Sequence, residues 1–188
     1  MVLLLGCAKT NHDAYPEGWP QLTGIGPDCR GIAGIYSMSG SSSDPRFPAV
    51  RWPVTGTRIE PPVRWHVPVG KPDMLRLSFI KDDVLRIETG WYDEAEWIPH
   101  AASTLVLASD SDSSEHVARY NCDEHGLEIP PGPHIGVAGY NSYFRGLIKA
   151  EDGSLVLRDT SSAAGVWVFP PFPMISNSTT WYRFEAAQ

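Results

Sequence analysis

Alternation of apolar and polar residues predicts a β-hairpin in the first half of the chain. Leu75, Leu77 and Phe79 alternate with polar residues, and the same pattern returns at Leu85 and Ile87 after a charged turn. A period of two places the apolar residues on one face of each strand, as expected for a half-buried antiparallel pair.

A second hairpin is predicted where residues 147–150 lead through Glu151-Asp152-Gly153 into residues 155–157. The Asp-Gly dipeptide supplies the positive φ angle that a tight hairpin turn requires. Other short apolar runs, each bounded by turn residues, bring the total to about ten predicted strands. These runs cover residues 31–36, 65–69, 104–108, 117–122, 127–129, 166–169 and 181–184.

The pattern predicts an all-β fold. No stretch keeps a helical period for three turns, and 17 Gly and 17 Pro interrupt the chain frequently. Consecutive hairpins favour an antiparallel meander that forms an up-and-down or partly open barrel. A two-sheet β-sandwich is the alternative. A length of 188 residues fits one such domain.

Charge and hydropathy exclude two classes of function. The formal net charge is −7, and the 15 Lys and Arg residues do not cluster. Nucleic-acid backbones attract clustered basic side chains, so we predict no nucleic-acid partner. No run approaches 18 apolar residues, so the sequence predicts no transmembrane helix.

The first residues resemble the lipobox of bacterial lipoproteins. Leu4-Leu5-Gly6-Cys7 has the apolar run and the small residue that precede the acylated cysteine in that family. The resemblance implies that residues 1–6 are the remnant of a signal peptide and that Cys7 carries acyl chains such as palmitate. No basic residue precedes Cys7, and the alternative is that residues 2–5 form a buried strand.

A lipid anchor also predicts the domain organisation. Residues 7–27 are polar, lack periodicity and are rich in Pro and Gly, so we expect a lipid-anchored flexible tether. The single β domain then covers residues 28–188. In the lipoprotein resemblance, Ala8 rather than Asp after the cysteine implies sorting to the outer membrane, facing the periplasm.

The three cysteines support the same compartment. If Cys7 is acylated, Cys29 and Cys122 remain as an even pair in an oxidising environment, which predicts a disulfide. A loop of that length would contribute about 4–5 kcal/mol in the chain-entropy model. Two buried free thiols are the alternative.

Asp28-Cys29 followed by Gly34-x-Tyr36 resembles the start of the domain in a group of proteobacterial outer-membrane lipoproteins of unknown function. The resemblance implies an envelope lipoprotein with an acid or Cys before a G-x-Y strand. It implies no activity, because that group has no assigned function.

Metal and catalytic signatures are weak. Cys122-Asp123-Glu124-His125 supplies too few ligands for a tetrahedral zinc site, particularly if Cys122 forms a disulfide. Residues 110–115 resemble a calcium loop, but Glu115 occupies the position that needs Gly, and Asn121 the position that needs an acid. We therefore predict no metal, no cofactor and no catalytic residue.

Two segments retain a functional interpretation. Asp93, Glu94 and Glu96 lie among aromatic residues, as in glycan-binding clefts, although ordinary surface is the simpler interpretation. Residues 169–174 are apolar and proline-rich, and proline cannot donate to a central strand. We expect a loop that lies as a lid over the core, or else an exposed partner contact. The residues concerned are Phe169, Phe172 and Met174.

Three hypotheses follow, in order of preference. The first is a non-enzymatic cell-envelope lipoprotein with a binding or structural role and an envelope protein or lipid as partner. The second is a small β-barrel that carries an apolar ligand or lipid. The third is an envelope enzyme that acts on glycans or peptides.

Overall fold

A computed structural model describes residues 7–12, 14–46, 48–51, 72–107, 119–123, 126–129, 134–136, 139–168 and 171–187. Strands dominate these residues, and a single 3-10 turn, Arg30–Ile32, precedes the third strand. The strands are β1 Cys7–His12, β2 Leu22–Thr23, β3 Gly34–Ser42, β4 Ala49–Arg51, β5 Met74–Lys81, β6 Val84–Asp93, β7 Glu96–Leu107, β8 Arg119–Asp123, β9 Gly126–Ile129, β10 His134–Gly136, β11 Gly139–Ala150, β12 Leu155–Val168 and β13 Pro171–Ala186.

One sheet closes on itself to form a barrel. Nine strands follow one another around it in the order β3, β5, β6, β7, β8, β9, β11, β12 and β13. The pairing of β13 with β3 completes the circuit. Every neighbouring pair is antiparallel except β7 and β8, which run parallel. The predicted barrel is therefore confirmed over the sandwich, with one parallel step in the meander.

The barrel has two distinct ends. The β5–β6, β8–β9 and β11–β12 connections lie at one end, together with the start of β3. We call this the disulfide end. The β6–β7 hairpin and the ends of β12 and β13 that adjoin residues 169–170 lie in the opposite direction. The antiparallel path of the strands fixes this arrangement.

Apolar side chains fill the barrel toward the disulfide end. One contiguous cluster contains leucines, isoleucines and three tyrosines that are almost fully buried. Tyr36 donates a hydrogen bond from its hydroxyl to the Ile32 carbonyl at 2.6 Å, which satisfies the only polar atom of its side chain. Burial raises the pKa of Tyr36 to about 12, so the phenol stays neutral. A barrel of about eight strands is narrow enough for its own side chains to fill.

Both predicted hairpins are present. In the first, Leu77 lies opposite Ile87 and Phe79 opposite Leu85. In the second, Leu147 lies opposite Leu157. Strand lengths differ from the prediction, because β12 and β13 continue for 14 and 16 residues where short strands are expected. The middle of each strand, residues 160–164 of β12 and 175–179 of β13, continues the ladder although it consists mainly of Ser, Thr and Ala.

The predicted flexible tether contacts the barrel. Leu22 and Thr23 pair with β11 at Ala150 and Lys149. Tyr15 packs edge-on against Trp181, with ring centroids 5.2 Å apart. Ile25, two residues after Thr23, is 4% exposed and belongs to the core cluster, so this Pro- and Gly-rich segment packs with the barrel.

Candidate functional site

The Cys29–Cys122 disulfide joins the segment before β3 to β8. The two Cα atoms are 5.8 Å apart, and 93 residues separate the cysteines in sequence. Cys29 is fully buried and has a left-handed backbone with φ of 56°. The sequence-predicted pairing is confirmed, and free thiols at these two positions are not found.

Acidic side chains concentrate in the turns of the disulfide end. Among them, Asp152 interacts with two neighbours: burial opposes its ionisation, but hydrogen bonds from Ser154 and from Arg183 lower its pKa overall. Arg30 pairs with Asp82, as Arg183 does with Asp152, so the negative charge of this end is partly neutralised. The acidic residues in these described turns are Asp82, Asp83, Asp123, Glu151 and Asp152.

A buried carboxylate organises the outer face of β5, β6 and β7. The Glu88 side chain is only 3% exposed. Arg76 donates from Nε to Glu88 Oε2 at 2.8 Å, and Arg86 Nη2 lies 2.9 Å from Oε1. Burying a carboxylate without partners is costly, and the two guanidinium groups supply the partners that Glu88 needs at this position.

Trp97 covers this cluster. Its ring lies over the Arg76 guanidinium, whose Cζ atom is 4.6 Å from the ring centroid, and it meets Tyr92 edge-on at 5.4 Å. Gly90 makes the arrangement possible: a Cβ there would lie 2.3 Å from the Ile98 carbonyl and 2.8 Å from the indole. Trp97 and Tyr92 therefore pack over the Arg76–Glu88 ion pair.

The acids proposed for glycan chemistry lie at the tip of the β6–β7 hairpin. Glu94 and Ala95 both have positive φ angles, of 46° and 73°, which defines a tight primed turn. Asp93, Glu94 and Glu96 are exposed to solvent. They are therefore displayed outward on a turn, without the shared, shielded environment that catalytic carboxylates require.

A polar layer replaces the apolar core farther from the disulfide end. Arg145 lies opposite Asp159, on the same face as Leu147 and Leu157, so the pair points to the barrel interior. Arg145 Nε lies 3.6 Å from Asp159 Oδ1, and the side chains are 15% and 10% exposed. The apolar interior therefore ends at this ion pair, and β11 and β12 continue beyond it.

Beyond this ion pair, β11, β12 and β13 carry no charge. From Thr160 to Tyr182 the chain has no Asp, Glu, Lys or Arg, where its overall charged fraction of 20% would place about five. Residues 139–144 are likewise uncharged. We call residues 139–144, 160–168 and 171–182 the neutral ribbon.

Hydroxyl groups join β12 to β13 in the part of the ribbon that adjoins the Arg145–Asp159 pair. Ser161 and Ser178 share a hydrogen bond of 2.7 Å on one face, and Thr160 and Thr179 share one of 3.2 Å on the other. Cross-strand pairs of this kind stabilise a sheet without charge.

The proposed lipidation residue lies at the edge of the ribbon. Strand β1 pairs in parallel with β13, and Cys7 lies opposite Met174. Pro171, Phe172 and Met174 belong to β13, so the loop expected over residues 171–174 is a strand. Pro171 and Pro173 have β12 on one side only, because β1 begins to pair with β13 at Met174. An edge position of this kind tolerates proline, which has no backbone N–H to donate. Phe169 lies outside the described residues.

The described residues contain neither a metal-binding group nor a membrane-spanning helix. There, no three His, Cys, Asp or Glu side chains form a group that could hold a metal ion. No helix in the part of the chain that the structure describes is long and apolar enough to cross a membrane. The calcium-like residues 110–115, His125 and the strand predicted at 65–69 lie outside the described residues.

Sequence reasoning missed two of these features. Alternation places both Arg76 and Glu88 on the outer face, but their opposition depends on the register shift between Phe79 and Lys81. Counting outward from the Asp82-Asp83 turn would pair Arg76 with Thr89 instead. The neutral ribbon is visible as the longest charge-free stretch, but its strands lack the apolar alternation that marks a half-buried strand.

Comparisons with protein-family models, with curated proteins and with solved structures find no match for the chain. Three features of the chain bear on its function: the disulfide end, the charged cluster around Glu88, and the neutral ribbon with Cys7 at its edge.

Proposed function

We propose that the protein is a non-enzymatic binding or structural protein of the bacterial cell envelope, anchored to a lipid surface through Cys7. The observation that carries the proposal is the Cys29–Cys122 disulfide. Disulfides of this buried kind persist in oxidising compartments and are rare in the cytosol, so the cystine supports export of the chain.

The cysteine arrangement also supports an anchor at Cys7. Cys29 and Cys122 are consumed by the disulfide, which leaves the cysteine of the lipobox-like segment as the third. Cys7 is the first residue of β1, and β1 pairs with β13 at the edge of the sheet. Acyl chains on Cys7 would therefore leave the fold at that edge.

Binding or structural work has more support than catalysis. The acids near Trp91 and Trp97 are displayed on an exposed hairpin turn, and Glu88 is engaged by Arg76 and Arg86. A general acid or base must reach a substrate in a shielded cleft, and neither arrangement supplies one.

An apolar ligand inside the barrel has less support at the disulfide end. The described interior there is occupied by buried side chains such as Tyr120, Leu147 and Tyr182, each at most 1% exposed. A ligand-carrying barrel needs an interior that side chains do not fill. The proposal therefore places binding on the outside of the barrel.

The direct test is the intact mass of protein extracted with detergent from envelopes of the native organism, measured before and after reduction. The proposal predicts a mature chain that starts at an acylated Cys7 and gains two hydrogens on reduction. A Cys7→Ser variant expressed in parallel is the control and should lack the acyl mass but keep the disulfide. An unacylated chain with three free thiols would contradict the proposal.

A further inference from the structure

The neutral ribbon changes character along its length. Near the barrel it consists mainly of Ser, Thr, Asn and Ala, and its strands are joined by hydroxyl pairs. Toward the β12–β13 connection the residues become Val166, Trp167 and Val168 on one strand, and Phe172 and Met174 on the other. The end of the ribbon is thus apolar as well as uncharged.

The register of β1 places Cys7 at this apolar end. Cys7 lies opposite Met174, three residues from the first residue of β13, which is about 10 Å along the strand. The acidic disulfide end is far away, since β12 alone runs about 43 Å from Leu155 to Val168. Whatever binds an acyl chain on Cys7 therefore meets the apolar end of the ribbon first.

Charge and exposure favour lipid as the occupant of this end. Lys9, the only formally charged residue of β1, lies opposite Ser176, two positions nearer the barrel than Cys7. A basic residue next to an apolar end matches the order of acyl chains and anionic headgroups in a bilayer. Ile175, the residue after Met174, is 52% exposed, so an apolar side chain faces solvent directly beside this end.

We propose that the β12–β13 end of the neutral ribbon, formed by residues 166–168 and 171–174, is a lipid-binding surface that seats the barrel on the membrane beside Cys7. The inference rests on the proposed anchor and adds an orientation to it. Acyl chains hold Cys7 at the membrane, and an apolar contact beside them sets which end of the barrel faces the lipid. Because β1 pairs with β13 directly after Cys7, the barrel is held close to the membrane rather than at the end of a long tether.

The test uses the full chain with Cys7→Ser, which removes acylation as a source of binding. Its sedimentation with vesicles of phosphatidylethanolamine and phosphatidylglycerol is compared with that of the same chain carrying Val168→Asp. We expect the parent to bind and the Asp variant to bind about tenfold more weakly, because a carboxylate does not enter the lipid interface.

Ala95→Asp is the matched control. It adds the same charge at the tip of the β6–β7 hairpin, where φ of 73° suits Asp better than Ala. We expect vesicle binding equal to that of the parent. Phe172→Asp is the second ribbon variant, and circular dichroism with disulfide titration checks that each variant folds.

The outcomes separate this inference from the anchor. Vesicle binding that falls in both ribbon variants and not in Ala95→Asp supports the lipid surface, whatever the mass of the native protein shows at Cys7. Equal binding by all folded variants, or no binding by the parent, overturns it. A parent that dimerises without vesicles, and loses the dimer in the ribbon variants, overturns it in favour of a second copy.

Discussion

Two walls of the barrel run from the disulfide end past the core and differ in chemistry. The wall of β5, β6 and β7 carries the Arg76–Glu88–Arg86 cluster on its outer face and three acids at its tip. The wall of β11, β12 and β13 carries no charge from Thr160 to Tyr182. Both walls are antiparallel, but the first contains register shifts at Phe79/Lys81 and Thr89/Gly90, whereas the second contains none in its described residues.

The difference shows that charge on these walls is not demanded by the fold. Both walls are antiparallel, so strand direction does not explain why one of them is uncharged. A strand with one face toward water normally alternates apolar residues with polar or charged ones. In the neutral ribbon, hydroxyl side chains beside the Arg145–Asp159 pair are replaced by apolar side chains toward residues 169–170. This change is what the proposed membrane contact would require.

The largest expected effect comes from the disulfide, which joins the segment before β3 to β8 at the end from which both walls run. We expect the Cys29→Ala/Cys122→Ala double variant to lose about 4 kcal/mol of unfolding free energy, because the cystine closes a loop with a sequence separation of 93 residues. Urea unfolding followed by tryptophan fluorescence measures it. The reduced parent protein is the control and should match the variant; a loss below about 1 kcal/mol would contradict the role given to the disulfide.

A smaller effect is expected from the charged wall. Glu88→Gln keeps the shape of the side chain but leaves Arg76 and Arg86 without their shared carboxylate, so we expect a loss of about 2–3 kcal/mol. Urea unfolding of the variant, compared with Glu96→Gln at the exposed tip, gives the contrast. The Glu96 variant should stay within about 0.5 kcal/mol of the parent. Equal effects at the two positions would mean that burial of Glu88 carries no stability.

The smallest effect is expected in the neutral ribbon. Ser161→Ala alone removes half of a 2.7 Å hydroxyl pair and should cost about 0.5–1 kcal/mol. Adding Ser178→Ala removes the other half and should cost little more, because no partner is then left unsatisfied. A double-mutant cycle by urea unfolding checks this. A cycle in which the two losses simply add would contradict a direct hydroxyl contact.

The sequence predicts best what depends on local alternation. Leu75 and Leu77 against Leu85 and Ile87 identify the first hairpin because one face is buried and the other is not. The disulfide is predictable because Cys7 has a separate explanation, so Cys29 and Cys122 remain as a pair. The hairpin follows from residues that are close in sequence, and the disulfide follows from the number of cysteines.

Closure of the barrel and the ribbon cannot be predicted in that way. The β3–β13 pairing joins residues such as Gly40 and Phe184, which are distant in sequence, and a Cβ at Gly40 would meet the Arg183 carbonyl at 2.3 Å. The strand at Pro171–Met174 runs against the usual meaning of proline. It is tolerated where β1 has not yet joined β13, an arrangement that only the register reveals.

The most direct test of the account is the depth of the two barrel ends when the acylated protein is bound to vesicles. A nitroxide label would be placed at Val168→Cys in one sample and at the exposed turn residue Asp82→Cys in another. The account predicts that the label at 168 collides with lipid-soluble oxygen and is shielded from a water-soluble nickel complex, and that the label at 82 shows the reverse. Two labels that are equally accessible to the nickel complex would contradict it.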